Sequence, residues 1–452
     1  MLTLCIWSID KQPKLRLPPL VNILYWRYRM KRNELFAQLI SLLRNSLLSE
    51  DFLEEFRIEG HFIRRRKLSL YQMVMFLLFH SRASLDVKLE RLMGIKEDFE
   101  FPKVSKQALS KARYGIQYQL FQELLNLCVD FYYRNLPDTK LWMDRYHLFA
   151  VDGSDLEVPS SVSSFEEFGK MSDRKNPSLF WSMALASVLY DVTGDIIVDA
   201  ALEKQFYGER ELAVQHLSRL TDLGISRNAV VIFDRGYYSA DVYEECVNSG
   251  CFCLMRMKSS SSLCLQEKDD AITSISAPDG TKISCRIIRT VLDTGETEYL
   301  ITNIMDREIS PDQFKELYFE RWKIETKYLE FKDRWMIEEF TGTGALAVRQ
   351  DFYITLLYSN LAAIIKAAAD DVIQKTANPV NVYQYRARRT YIISTVLLKA
   401  YKWLFEPFLL ADVDELIEDA SKKRSQIQPG RTRKRKRRTR ARKHFNNQKN
   451  NI

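Results

Sequence analysis

Two aspartates each follow directly after a short apolar run in the sequence. Residues 148–151 (Leu-Phe-Ala-Val) precede Asp152, and residues 229–233 (Ala-Val-Val-Ile-Phe) precede Asp234. Both runs are typical of buried strands that end at a turn. Because ligands bind beyond the carboxyl ends of strands in open α/β sheets, both carboxylates are placed for chemistry. Taken alone, each aspartate is more often part of an ordinary turn.

A third acidic residue lies on a helix predicted at about 312–335, which begins at Ser310 or Asp312. At about 100° per residue, one narrow face of this helix carries Tyr318, Arg321, Glu325 and Lys332. A solvated face with an Arg321–Glu325 pair is the alternative, but such pairs contribute only ~0.2–0.5 kcal/mol and explain neither the tyrosine nor the spacing. The apolar residues predicted to bury the rest of the helix are Trp322, Ile324, Tyr328, Leu329 and Phe331.

Other acidic residues near these elements are interpreted as turn or surface groups. Those that flank the predicted strands are Asp155, Glu157, Asp191, Asp195 and Asp199. On the predicted helix, Glu320 and Glu330 point away from the face that carries Glu325.

The order of elements around these residues predicts the fold class. Residues 146–340 are expected to contain three strands, a helix, a strand and a helix, which indicates a mixed α/β sheet covered by helices. Residues 251–300 are strand-like with several turn signals and predict a β-rich insertion before the long helix.

Helical regions are predicted on both sides of this segment, at 30–145 and 341–420, the latter with helices at 345–370 and 386–403. Within the first region, Ser105 caps a helix that reaches Arg113. Lys106 and Arg113 lie on a polar side of that helix and suit phosphate or base-edge contacts in DNA. An ordinary exposed polar face is the alternative.

Charge is concentrated at one end of the chain. The net charge is +8, and residues 431–443 contain ten basic residues and no acidic ones, so the rest is close to neutral. Residues 421–452 are predicted to be a disordered basic tail that contacts a polyanion, most plausibly nucleic acid. Residues 1–29 are interpreted as an upstream extension, with Met30 as the natural start. No signal peptide or membrane helix is expected, which predicts a cytoplasmic protein.

The spacing of the three acidic blocks resembles the transposases of the insertion sequence four family. The segment Tyr318-x2-Arg321-x3-Glu325-x6-Lys332 is similar to that family's signature. Asp152-Gly153-Ser154 resembles its first catalytic block, and Asp234-Arg235-Gly236-Tyr237 resembles its second. The resemblance covers about residues 60–370.

The resemblance implies a ribonuclease H-like core in which Asp152, Asp234 and Glu325 hold two Mg²⁺ ions, with Mn²⁺ tolerated. Water would free a 3′-hydroxyl at the end of the element, and this hydroxyl would attack the opposite strand or target DNA. Contacts with DNA phosphates are expected from Tyr318, Arg321, Lys332 and Arg235.

The expected partners are the terminal inverted repeats, target DNA and a second copy of the chain in a synaptic complex at the nucleoid. Two other functions share the same sequence features: a catalytically silent DNA-binding relative, and a metal-dependent structure-specific nuclease. Residues 251–300 contain no tryptophan to stack on a flipped base, so a hairpin route would need another group.

Overall fold

The computed structural model describes residues 30–63, 67–79, 85–93, 101–135, 141–172, 176, 178–265, 269–292, 295–378, 380 and 382–428. The predicted extension at 1–29 and the basic run at 431–443 lie outside these residues.

The N-terminal region is helical, as its apolar spacing predicts. Its helices are α1 (Arg32–Leu48), α2 (Glu50–Glu55), α3 (Leu70–Leu78), α4 (Leu85–Met93), α5 (Lys106–Arg113) and α6 (Gln119–Arg134). Leu35, Leu39 and Leu43 of α1 are fully buried because they recur on one face. The predicted cap of α5 is confirmed, since the Ser105 hydroxyl accepts a hydrogen bond from the backbone N–H of Ala108 at 3.2 Å.

The strands between residues 147 and 302 form one large mixed sheet. These strands are β1 (His147–Val158), β2 (Met171–Ser172), β3 (Phe180–Asp191), β4 (Ile196–Lys204), β5 (Ala229–Phe233), β6 (Phe252–Arg256), β7 (Asp270–Ser276), β8 (Lys282–Val291) and β9 (Thr297–Thr302). The helices between them are α7 (Val162–Phe168), α8 (Glu209–Asp222) and α9 (Ala240–Asn248). Short 3₁₀ turns lie at Ser226–Asn228 and Ser262–Leu265.

The core of this sheet has the order β4-β3-β1-β5-β6. Strands β1, β5 and β6 are parallel, whereas β3 runs antiparallel to both of its neighbours. This arrangement of a β-meander followed by two crossovers is ribonuclease H-like. The predicted fold class is therefore confirmed.

The β-rich segment continues the same sheet beyond β6, in the order β6-β9-β8-β7. All pairings in this extension are antiparallel. The predicted insertion at 251–300 includes β6, which pairs in parallel with β5 and belongs to the core. The added strands are therefore β7, β8 and β9.

The C-terminal part is helical. Its elements are α10 (Pro311–Phe319), α11 (Trp322–Asp333), α12 (Ala345–Lys375), β10 (Tyr385–Ala387), α13 (Arg389–Phe405), α14 (Leu410–Lys422) and β11 (Arg424–Gln426). Helix α12 packs against α1, α6, α13 and α14. It is long and apolar enough to cross a membrane, but its most apolar window is 89% buried inside the protein, so it is a core helix.

The predicted disorder at 421–452 does not hold for the residues of this segment that the structure describes. Helix α14 continues to Lys422, and β11 pairs with β10. The pairing of β10 with β11 provides backbone hydrogen bonds for residues whose polar side chains suggest disorder.

Candidate active site

Asp152 and Asp234 lie side by side on adjacent parallel strands. Val151 of β1 is in register with Phe233 of β5, so the aspartates that follow them are at the same level. Strand β5 ends there, and the backbone N–H of Tyr237 bonds to the carbonyl of Asp234 at 3.1 Å in the predicted turn. The sheet therefore places both carboxylates at one edge of the β1–β5 pair.

The predicted turn at Asp152-Gly153 is wrong. Strand β1 continues to Val158, and Asp152 is in register with Val188 of β3. The strand extends because β3 supplies an antiparallel partner beyond the point where β5 ends. Asp152 is consequently held within a strand and is half-buried rather than exposed in a turn.

The helix predicted at 312–335 is divided into α10 and α11 at Glu320-Arg321. Ser310 begins α10 with a capping box that includes Gln313. At the junction, the backbone N–H groups of Glu320, Arg321 and Lys323 bond three residues back, a tighter pattern than in an α-helix. Both junction residues keep right-handed helical dihedrals, so the two helices follow each other closely.

Arg321 and Glu325 form an ion pair across this junction. The guanidinium Nη2 of Arg321 donates to Oε1 of Glu325 at 3.0 Å. Arg321 is only 7% exposed, and its guanidinium also lies 5.8 Å from the centre of the buried Tyr318 ring. Lys332, about two turns beyond Glu325, donates to the backbone carbonyl of Asp155 at 2.6 Å. The helix face predicted from spacing therefore lies against β1.

The pKa of Asp152 depends on Arg321, Glu325 and Asp234. Burial raises the pKa of Asp152 to about 7, while Arg321 and the N–H of Gly153 act in the opposite direction. The negative charges of Glu325 and Asp234 raise this pKa further. Asp152 therefore lies in a field formed by the other two acidic residues, and near neutral pH it exchanges its proton readily.

The three carboxylates form a donor set that suits hard divalent cations such as Mg²⁺. Among the described residues, no three His, Cys, Asp or Glu side chains converge closely enough to bind one ion. The ion pair with Arg321 engages one oxygen of Glu325. The chemistry of the three side chains fits a divalent metal ion.

Several side chains of the catalytic helices differ from the sequence interpretation. Trp322 and Leu329, predicted to be buried, are 43% and 55% exposed. Phe319 is also exposed. The amphipathic pattern places these residues on the same helices correctly, but α11 packs against the sheet along one narrow stripe, which leaves the opposite apolar side chains in solvent.

Asp191 and Asp195, interpreted as turn or surface residues, do lie at the β3–β4 turn, but their side chains belong to buried polar networks. Asp191 is 3% exposed and accepts hydrogen bonds from the Tyr133 hydroxyl and from two backbone N–H groups of the β3–β4 turn. Asp195 pairs with Lys327 of α11 and Arg389 of α13. Burial alone would raise the pKa of Asp195, but these two cations hold it at about 2.

The remaining surface predictions have mixed outcomes. Asp199 pairs with the buried His216 at 2.8 Å, and Glu330 pairs with Lys327 and Arg389, so neither is a simple surface group. Asp155 is exposed, as predicted.

The predicted DNA contact at Arg113 is wrong. Its side chain is 8% exposed and donates to Gln350, Thr341, Asp351 and the carbonyl of Ala347. These partners lie on or beside α12, so Arg113 joins the N-terminal region to the core. Lys106 of the same helix and Arg235 beside Asp234 are exposed.

A cavity of about 570 Å³ adjoins the two aspartate blocks. Its lining includes Asp155, Gln205, Phe206, Glu209 and Gly236. The Phe206 ring is 84% exposed at its rim, and the sequence analysis did not single it out. The signal in the sequence is the pair of aromatic residues, Phe206 and Tyr207, in the short loop after β4.

One family model matches the middle of the chain. Residues 144–361 match the family model of the transposase DDE domain. Asp152, Asp234 and Glu325 all lie within that segment, which supports a DDE transposase.

Among solved structures, the chain is similar to the cryo-EM structure of the piggyBac transposase synaptic complex with hairpin DNA. The TM-score is 0.41 at 10% sequence identity, over 86% of this chain and 84% of that chain. A search of curated protein sequences finds no match.

Proposed function

We propose that the protein is the DNA transposase of a bacterial insertion sequence, of the insertion sequence four family. It cuts the ends of its element and joins them to target DNA. The observation that carries this proposal is the register of Asp152 and Asp234 on adjacent parallel strands, inside the segment that matches transposase DDE domains. Glu325 lies on α11, and its charge is among those that raise the pKa of Asp152, which supports its inclusion in the site.

Asp152, Asp234 and Glu325 would together hold two Mg²⁺ ions, or Mn²⁺. When bound, such ions stabilise negative charge on the attacking and leaving oxygens of a phosphodiester. Asp152 must release its proton to take part, which its pKa of about 7 allows near neutral pH. Glu325 must exchange its pairing with Arg321 for the cation.

A DNA phosphate would supply the negative charge that replaces Glu325 as the partner of Arg321. Arg321 would leave Glu325 and hold a phosphate beside the cut, for which its planar fork is suited. Tyr318 and Lys332 flank it on the same face, and the exposed Arg235 and Lys106 would contact phosphates farther along the duplex.

The partners proposed are the terminal inverted repeats of the element, target DNA and a second copy of the chain in the synaptic complex. The protein would act in the cytoplasm on nucleoid DNA. The ten basic residues at 431–443 would add sequence-independent affinity. Each phosphate contact would contribute a slope of about −0.9 in log affinity against log salt.

The test is DNA cleavage with a matched pair of variants. The full chain is incubated with Mg²⁺ and a fragment that carries the inverted repeats flanking its own gene. We expect 3′-nicks at the repeat ends, which Glu325→Gln abolishes. Glu320→Gln is the control, because Glu320 pairs with Lys323 instead of facing the aspartates.

Two outcomes would contradict the proposal. Binding to the repeats without cleavage by the wild-type chain would indicate a catalytically silent DNA-binding relative. Cleavage without joining to target DNA would indicate a structure-specific nuclease.

A further inference from the structure

A fourth carboxylate lies against the first aspartate block. Glu209 is the first residue of α8, and its side chain packs on the backbone of Gly153, the residue after Asp152. A Cβ atom built on Gly153 would be 3.1 Å from Oε1 of Glu209 and 3.4 Å from its Cδ. A side chain at position 153 would therefore crowd Glu209, and glycine permits its close approach to β1.

The charge of Glu209 belongs to the same field as the catalytic acids. Burial raises the pKa of Glu209, and the charges of Asp155 and Asp234 raise it further. Glu209 also lines the same cavity as Asp155 and Gly236, so it lies near both aspartate blocks. It is far from them in sequence and stands outside every motif that the sequence analysis used.

The Tyr237 hydroxyl provides an independent observation. Tyr237 is 2% exposed, and its buried hydroxyl has no hydrogen-bond partner within the described structure. Burial raises the pKa of Tyr237, and the charges of Glu209, Asp152 and Asp234 raise it further. The hydroxyl therefore lies in the electrostatic field of these three carboxylates and donates a hydrogen bond to none of them.

Neighbouring buried tyrosines do not share this property. The Tyr328 hydroxyl donates to the carbonyls of Asp152 and Ala186 at 2.9 and 2.8 Å. The Tyr243 hydroxyl donates to two carbonyls as well. An unpaired buried hydroxyl costs about 1–3 kcal/mol. Tyr237 therefore belongs, with the buried Gln205 Oε1 and Arg321 Nε, to the groups of this region that a bound polar ligand would satisfy.

We propose that Glu209 and Tyr237 hold the water molecule that attacks the DNA phosphorus. This inference rests on the proposed function. A water molecule accepts from one group and donates to another, so it can bridge a tyrosine hydroxyl and a carboxylate. The Tyr237 hydroxyl donates to the water oxygen, and the water donates to Glu209.

The hydrolytic step balances with these groups. The water oxygen forms a bond to phosphorus, and the bond between phosphorus and the 3′-oxygen breaks. One water proton passes to the Glu209 carboxylate, and the leaving 3′-oxygen takes a proton from solvent. In the joining step the nucleophile is the DNA 3′-hydroxyl, which DNA contacts deliver, so Glu209 and Tyr237 matter less there.

The experiment compares Glu209→Gln and Tyr237→Phe with Glu211→Gln, a control on the same first turn of α8. Nicking of intact element ends and joining of pre-cleaved ends are measured with the full chain under single-turnover conditions. We expect Glu209→Gln to slow nicking about 10²–10⁴-fold, the range of a lost general base. Tyr237→Phe should slow it about tenfold, as loss of one hydrogen bond would.

Other readouts separate this role from a structural one. Joining of pre-cleaved ends should fall less than tenfold in both variants, and Glu211→Gln should match the wild type in both reactions. The melting temperature of Tyr237→Phe should be unchanged or higher, because its hydroxyl has no partner to lose.

Wild-type nicking by Glu209→Gln would overturn this inference alone, as would an equal fall in nicking and joining. A lower melting temperature of Tyr237→Phe would show that its hydroxyl is structural. Absence of nicking by the wild-type chain would overturn the proposed function together with this inference.

Discussion

The Arg321 guanidinium donates to the Glu325 carboxylate at 3.0 Å, four residues farther along the catalytic helices. Arg321 is 7% exposed, so the pair is screened less than a surface ion pair. Its positive charge also opposes the rise in the pKa of Asp152. The positive charge of Arg321 therefore offsets part of the negative charge of the three carboxylates, which would otherwise attract a metal ion.

Removing this charge should strengthen metal binding in the absence of DNA. We expect Arg321→Gln to bind Mn²⁺ at least about tenfold more tightly, because a unit charge a few ångströms away contributes more than the ~1.4 kcal/mol that this factor needs. Isothermal titration calorimetry measures it. Lys323→Gln, which removes an exposed cation that pairs with Glu320, is the control. Unchanged or weaker Mn²⁺ binding by Arg321→Gln would contradict the prediction.

The Asp152→Asn variant should be more stable than the wild type at pH 8 without metal. The folded pKa of Asp152 is raised to about 7, so the folded state favours the protonated form and its ionisation costs stability as pH rises through 7. We expect a melting temperature a few degrees higher, which differential scanning fluorimetry measures.

The same variant should lose the stabilisation that Mn²⁺ gives to the wild type. Asp155→Asn removes an exposed acid of the same strand and should retain the metal-dependent shift. A lower melting temperature for Asp152→Asn at pH 8 would show that the ionised carboxylate stabilises the fold.

Acid should destabilise the protein through Asp195. Its folded pKa of about 2 is below the unfolded value of about 3.9, so its contribution is complete above about pH 5 and is lost progressively as pH falls from about 4 through 2. Asp195→Asn leaves the buried Lys327 without its closest partner and should cost about 3–5 kcal/mol at pH 7. Urea unfolding at pH 7 and pH 3.5 measures both effects. The difference between wild type and variant should shrink at the lower pH, and a constant difference would contradict this assignment.

Variants of Arg113 and Lys106, two residues of the same helix, should affect different properties. The Arg113 variant should lower stability, and the Lys106 variant should weaken DNA binding. Arg113→Ala removes the ion pair with the buried Asp351 and the hydrogen bonds to Gln350, Thr341 and Ala347, and it should lower the free energy of unfolding by about 3–5 kcal/mol. Lys106→Ala should change it by less than about 0.5 kcal/mol and should weaken DNA binding at low salt. Urea unfolding and fluorescence anisotropy with repeat DNA are the measurements. Equal stability of the two variants would contradict the structural role of Arg113.

The sequence predicts the strands of the sheet well. Apolar runs such as 148–151 and 229–233 are stable only when they are buried, and a chain of this size has a core large enough to bury them. The three acidic residues could be selected from their positions in the sequence. Asp152 and Asp234 each come directly after an apolar run, and Glu325 shares a helix face with Tyr318 and Arg321. The continuation of β1 past Asp152 could not be predicted, because it depends on pairing with Val188 and its neighbours in β3.

Long-range partners also explain the errors at polar residues. Arg113 lies on a polar helix side that the sequence assigns to DNA, and only the position of Asp351 on α12 shows that this side is buried. Asp195 similarly follows a turn signature, and its cations come from α11 and α13. The break at Glu320-Arg321 has no sequence signal, because neither residue disfavours a helix.

The link between Asp195, Lys327 and Arg389 has a consequence for damaged copies of the gene. A frameshift after α12 would leave all three acidic residues in the encoded protein but would remove Arg389, which also pairs with Glu330 of the catalytic helix. Such a shortened product would keep its acidic motif and lose part of the support that orients Glu325. Inspection of the motif alone would therefore overcount functional copies in a genome.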